Sequence, residues 1–188
     1  YLQCRFFESH KFPVMDKITR TPRDILEGIF AIQGVECDPS LLEDCVVKLV
    51  KLLRDRCGQI GNTGFEYDLF ISYRVDADKI VAELLYHQLK AAGLNPFLDK
   101  MCLPAGEGWK SNFLKGLSKS KVFVALISVA GLAKARDLYI DHTWDNVLLE
   151  LQMALDINQQ RAIAGNPEFI VPVHIGLIEE GALRKFKG

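Results

Sequence analysis

The sequence has no block of positive charge, no apolar run of membrane-spanning length, no glycine-rich dinucleotide fingerprint, and no cysteine or histidine spacing of the kind metals need. Each absence closes a class. Lys and Arg number 23 against 24 Asp and Glu, so charge gives no reason to expect a nucleic-acid partner. A spanning helix needs about 20 consecutive apolar residues, and no such segment exists. Without a GxGxxG turn an ordinary dehydrogenase is disfavoured. The five cysteines (Cys4, Cys37, Cys45, Cys57, Cys102) are odd in number, and His10, His87, His142 and His174 are scattered, so no metal site is expected. Cys37, Cys45 and Cys57 lie in or beside helical patterns and read as small buried hydrophobes. Free thiols suit a reducing compartment, which makes the cytoplasm the expected location. No secretory leader, internal repeat or low-complexity segment is visible. The chain starts at Tyr1 and is read as a piece with unknown upstream residues.

What is present suffices for one domain with a real core, or one and a fraction. Thr21-Pro22-Arg23-Asp24 is a helix start, with Thr21 as N-cap and Pro22 at the first position. Ile25, Leu26, Ile29 and Phe30 give it an apolar face, and Gly34 is read as its end. Asp38-Pro39 repeats the signal ahead of Leu41, Leu42, Cys45, Val46, Leu49 and Leu53. These two patterns predict helices over 22–32 and 39–56, forming an αα-hairpin outside any sheet. Two helices alone bury too little surface, so they either lean on the C-terminal domain or belong to an upstream one. Residues 58–64, rich in glycine, read as a linker. The expected division is thus a helical segment over 1–57, a linker over 58–64 and a domain over 65–188.

That domain begins with Tyr67–Tyr73, a short β-prone run. A helix succeeds it, capped by Asp76 or Asp78 and starting near Lys79. Its apolar face is Ile80, Val81, Leu84, Leu85 and Leu89, and Gly93 stops it. Phe97-Leu98 is the next strand. Strand, helix, strand over about 30 residues is a βαβ unit, which builds a parallel sheet covered on both faces. Further strands are predicted near 121–127 and 169–174, with helices at Trp109–Leu117 and Asp145–Ile157 and a mixed loop over 130–143.

Five stretches resemble a known family in the right order. Asp68–Arg74 is similar to the first signature box of TIR (Toll/interleukin receptor) domains, and Asp99–Gly108 to the second. Lys121–Ser128 is similar to their third strand, Asp145–Leu151 to the start of their third helix, and Phe169–Val173 to their fourth strand. The resemblance covers Phe65 to Gly188. It implies a flavodoxin-like parallel sheet with strands in the order 2-1-3-4, preceded here by the α-helical hairpin. The family usually adds a fifth strand and a final helix, before which this chain stops, so the domain is expected to be C-terminally incomplete.

Glu150 is the leading candidate residue. Its helix is apolar at Val147, Leu148, Leu149, Leu151, Met153 and Ala154, so its carboxylate sits either on a narrow solvent stripe or in a cleft. The resemblance matches it to the catalytic glutamate of TIR enzymes that cleave NAD+. That reaction expels neutral nicotinamide from a pyridinium cation, so one carboxylate suffices and no partner acid is needed. NAD+ would be the substrate, with no cofactor. Those enzymes often carry a tryptophan four residues before the glutamate. Asn146 stands there instead, and Trp144 is either a packing residue or a ring folded over the cleft. Tyr73, Arg74, Asp99 and Ser128 lie at carboxyl ends of strands, where open α/β sheets bind ligands, and complete the expected ligand site with Trp144 and Asn146. A cation before a helix N-terminus suits a pyrophosphate. In the family the second-box loop, here Lys100, Met101, Cys102, Leu103, Pro104, Gly106 and Trp109, mediates self-association. The expected function is a self-associating signalling TIR domain that hydrolyses NAD+ to nicotinamide and ADP-ribose or a cyclic form, with other TIR domains as partners. The alternative is a non-enzymatic adaptor.

Overall fold

Five short runs form one parallel sheet in a computed structural model of the chain, which describes residues 19–38, 42–60, 64–102, 109–133, 145–163, 165 and 168–176. The strands are β1 (Val35–Cys37), β2 (Tyr67–Ser72), β3 (Pro96–Phe97), β4 (Ser120–Ser128) and β5 (Ile170–Ile175). Their spatial order is β1-β5-β4-β2-β3, and every pairing is parallel. The helices are α1 (Pro22–Phe30), α2 (Leu42–Ile60), α3 (Val75–Ala91), α4 (Asp99–Cys102), α5 (Trp109–Ser118) and α6 (Asn146–Ile163). All four expected strands are present, and the order β3-β2-β4-β5 is the 2-1-3-4 arrangement that the resemblance implies.

The expected hairpin is not one. β1 lies between α1 and α2 and pairs with β5, in the register Val35↔Val173 and Cys37↔Ile175. The edge beyond β5 is thus filled from upstream, and the sheet has five strands rather than four. Three residues make no legible apolar run, so nothing in the sequence signals this strand. The two helices then fall on opposite faces. Ile25, Leu26 and Ile29 of α1 join Phe70, Phe123, Leu148 and Leu151 in one core cluster. Cys45, Leu49 and Leu53 of α2 join Leu69, Ile71, Val122 and Val124 in the other.

Gly34 owes its place to close approach rather than to ending a helix. A Cβ there would lie 2.7 Å from the Pro172 carbonyl oxygen, so only glycine lets the chain pass β5 closely enough to pair. The segment is also tied to α6. The backbone N–H groups of Thr19 and Arg20 both donate to Gln152 Oε1 at 2.9 Å, and Arg20 pairs with Asp156 at 2.5 Å.

Alternation along the strands sorts the rest of the core. Leu69 and Ile71 of β2 face α2 and α3, while Phe70 faces α5 and α6. β4 is buried at all nine positions because helices cover both its faces. On the α5/α6 side, Phe97, Phe70, Phe123 and Phe169 run across β3, β2 and β4 to the residue before β5, with successive ring centroids 5.1, 5.5 and 6.0 Å apart. Cys37, Cys45 and Cys57 are buried free thiols, as their positions suggest. Burial pushes Cys45 up to about 12 and Cys57 up to about 11.

Helix ends follow local chemistry, with three changes from expectation. Thr21 and Asp24 form a full capping box at α1. Helix α3 ends in a Schellman turn: Gly93 has φ 84°, and bonds run from Leu94 N to Leu89 O and from Gly93 N to Lys90 O. It begins at Val75 behind Arg74, however, not near Lys79 behind Asp76 or Asp78. Helix α6 continues past Ile157 to Ile163. Helix α2 runs on through Gly58 to Ile60, so the start of the stretch read as a linker is helical. The capping signal at Pro39 lies outside the described residues.

Two glycine substitutions separate these roles. Gly34→Ala pushes β1 off β5 and is expected to destabilise by about 1–3 kcal/mol. Gly58→Ala meets nothing within 4 Å and is expected to stabilise α2 by about 0.5–1 kcal/mol. Urea midpoints measure both, and an unchanged midpoint for Gly34→Ala would detach β1 from the sheet.

Candidate functional site

Strand parity decides which side chains meet at the carboxyl edge. Ser72 shares the parity of Phe70, so it faces α6. It is 2 % exposed, and its hydroxyl donates to Glu150 Oε2 at 2.6 Å. One residue later Tyr73 turns to the other face, into the cluster with α3, and its hydroxyl donates to Asp99 Oδ1 at 3.0 Å. Arg74 then caps α3 by position, and its side chain reaches back to α6, where Nη2 meets Asp145 Oδ2 at 2.8 Å.

Asp145 performs two tasks with two oxygens. Its Oδ1 accepts from the backbone N–H of Leu148 at 2.9 Å, which is the N-cap bond of α6. Its Oδ2 holds Arg74. The carboxylate is 2 % exposed and the guanidinium 13 %, so this pair is nearly dry. The cation expected to meet a pyrophosphate therefore already has a matched negative partner.

Glu150 sits in the second turn of α6, half-buried and facing the strand ends. Burial pushes its carboxyl up from the ordinary 4.5 to about 8. The Ser72 bond pulls it down, the charges of Asp99 and Asp145 push it up, and Arg74 pulls it down. Burial, Asp99, Glu83 and Glu150 in turn push the Tyr73 phenol up. Tyr73, Arg74, Asp99, Asp145 and Glu150 are thus electrostatic neighbours at one edge of the sheet, with carboxylates in excess.

Of the candidate residues, Glu150, Tyr73, Arg74 and Asp99 come together. Ser128 does not join Glu150 in any described contact. Its parity is that of Val122, Val124 and Leu126, which turns it to the α3 side. There its Oγ accepts from Gly131 N at 2.9 Å, and it lines a cavity of about 30 Å³ with Arg74, Asp78 and Leu26. Asn146 is the exposed first residue of α6. In the second-box region, Lys100 is exposed and pairs with Glu83 of α3, Met101 is exposed and Cys102 is partly buried. Trp109 opens α5. Trp144, Leu103, Pro104 and Gly106 lie outside the described residues. Sequence reasoning misses Ser72 and Asp145 as site residues. Both carry a signal: Ser72 stands two residues after Phe70, and Asp145 stands at N-cap spacing before Leu148.

A parallel sheet with helices on both faces and a half-buried carboxylate at its carboxyl edge defines a flavodoxin-like α/β domain. The sequence profile of the TIR domain family matches residues 69–187, and the chain belongs to that family. A Brachypodium distachyon protein named "Probable 2' cyclic ADP-D-ribose synthase BdTIR" is 38% identical over 63 residues, which is 33% of this chain and 28% of that protein. Among solved structures, a metazoan TIR-STING receptor from C. gigas in complex with 2',3'-cGAMP is similar at 22% identity and a TM-score of 0.49, over 65% of this chain and 33% of that one. Another structure of a metazoan TIR-STING receptor from C. gigas gives 21% and 0.45, over 66% and 37%. The chain therefore spans about a third of the length of these relatives. No helix among the described residues is long and apolar enough to cross a membrane.

The raised Glu150 pKa has a consequence for stability. The folded value, about 8, lies above the ordinary 4.5. The stability this group contributes is fully present below about pH 4.5 and is lost as pH rises through 8. Glu150→Gln removes that loss. The variant should match wild type near pH 4.5 and exceed it at pH 8.5 by on the order of a few kcal/mol. Urea unfolding of both proteins across that range checks this. A difference that does not change with pH would contradict the burial of the carboxyl.

Proposed function

We propose that this TIR domain cleaves the nicotinamide–ribose bond of NAD+, with Glu150 as its catalytic carboxylate. One observation carries the reading: the Glu150 carboxyl is held half-buried at the carboxyl edge of the sheet, amid Asp99 and Asp145. The relative named as a cyclic ADP-D-ribose synthase supports the same chemistry. Before substrate binds, Glu150 is largely protonated at neutral pH. A pyridinium ribosyl group entering an acid-rich edge favours the ionised form, so the substrate itself draws the proton off. As the C–N bond breaks, its electron pair leaves with nicotinamide, which departs neutral. The ribosyl carbon gains positive charge beside the carboxylate, which stabilises it. Water then gives ADP-ribose and a proton, while an internal hydroxyl of the same molecule gives a cyclic product and likewise releases its proton. Tyr73 and Asp99 would line the ribose side. Arg74, tied to Asp145, would steady the start of α6 rather than clamp the pyrophosphate.

We further propose that the protein acts in signalling within the cytoplasm and self-associates through the loop from Lys100 to Trp109, with other TIR domains as partners.

Incubation of assembled protein with NAD+, with nicotinamide read by chromatography, tests the activity. Wild type should release nicotinamide. Glu150→Ala and Glu150→Gln should lose at least about a hundredfold in kcat while remaining folded, because the charge acts in the transition state more than in binding. Pro104→Ala and Trp109→Ala should impair assembly, and turnover only through it. Assembled wild type that releases no more nicotinamide than Glu150→Ala would decide for the non-enzymatic adaptor.

A further inference from the structure

Glu150 alone does not fix where its charge points. It stands on a helix whose neighbouring side chains, Leu148, Leu149, Leu151 and Met153, are buried and apolar. None of these offers a hydrogen bond. Among the described residues, the donor to the Glu150 carboxylate is the hydroxyl of Ser72, on Oε2 at 2.6 Å, and Oε1 meets none. Ser72 ends β2, and its backbone is locked by pairing with Ala125 of the fully buried β4. It is itself 2 % exposed, so water does not compete for its proton.

We propose that Ser72 is the positioning residue of the site: its hydroxyl holds one oxygen of Glu150, leaving Oε1 aimed at the reacting carbon. The inference rests on the proposed role of Glu150. A buried serine has one proton to give, and when Glu150 is ionised it gives that proton to the carboxylate, a bond stronger than one between neutral groups. A rigid strand end is also a better anchor than a loop, because the parallel ladder with β4 holds the Ser72 backbone. When Glu150 is protonated the same contact survives with its direction reversed, so the rotamer is held in both states. Among the described residues, the charged groups that act on the pair are Arg74 from the β2–α3 junction, Asp99 from α4 and Asp145 from the α6 cap, with the Tyr73 phenol on Asp99.

The test uses the full chain and two readouts. Ser72→Ala removes the donor, and Ser72→Thr keeps it. The first readout is the titration of the Glu150 side-chain carboxyl by carbon NMR, assigned by its loss in Glu150→Gln. Ser72→Ala should move the midpoint upward, because the bond favours the charged form, and Ser72→Thr should return it. The second is nicotinamide release against pH. In Ser72→Ala, kcat should fall about ten- to a hundredfold with KM for NAD+ little changed, and the acid limb should move upward with the titration. If the threonine variant does not fold, Ser72→Cys, with its weaker donor, should fall between wild type and alanine. A folded Ser72→Ala whose Glu150 midpoint and pH limb match wild type would overturn the proposal. If wild type releases no nicotinamide, the proposed activity fails, yet the carbon titration still decides whether Ser72 holds the carboxylate.

Discussion

A parallel sheet must be covered on both faces, and in this protein β4 is buried at every one of its nine positions. Much of the architecture derives from that constraint. The helices must divide between the two faces, so α2 and α3 cover one while α1, α5 and α6 cover the other. Each residue of β2 and β4 is then bound to one set of helices by its parity. Every crossover also starts from the same edge of the sheet, and that edge collects the polar residues that end the strands. Ser72 meets Glu150 there, and Ser128 meets the α3 side, because both strands keep strict alternation to their ends.

The edge is held by carboxylates that do different work. Asp145 is fully used, one oxygen capping α6 and the other pairing Arg74. Asp99 accepts the Tyr73 phenol and the Lys100 backbone N–H. Glu150 accepts one bond, and burial disfavours its charge, as it does that of Asp78 beside Arg74 and Ser128. In the proposed reaction, a group disfavoured in its charged form and ionised by an incoming cation would link substrate binding to readiness for reaction. The same burial makes the fold less stable above the ordinary carboxylate range, a cost that the proposed catalytic role would explain.

Much of this is legible in the residues. Four apolar runs separated by helical spacing mark the main strands, and capping chemistry at Thr21 and Gly93 places two helix ends. The N-terminal helices read as a hairpin because the strand between them has three residues, Val35–Cys37, and its pairing partner lies over 130 residues away. Gly34 looks like a helix stop, since nothing local reveals that it skirts the Pro172 carbonyl. At the site, Glu150, Tyr73, Arg74 and Asp99 are expected as neighbours and are found as such. Ser128 groups with them in sequence because strand ends converge, but convergence does not override the pleat. Arg74 reads as a free cation because its partner, Asp145, is 71 residues on. Ser72 reads as one more strand residue, although its parity with Phe70 points it at α6.

At this edge a single carboxylate is proposed to stabilise charge as a neutral pyridine departs. The most direct measurement of that role is side-by-side incubation of the assembled protein with NAD+ and with NADH, following loss of the ribosyl–nitrogen bond. NADH has the same shape around the phosphates and riboses, but its dihydronicotinamide carries no positive charge and would have to leave as an anion. NAD+ should be cleaved and NADH essentially not. Equal cleavage of both, or of neither, would contradict the role assigned to Glu150.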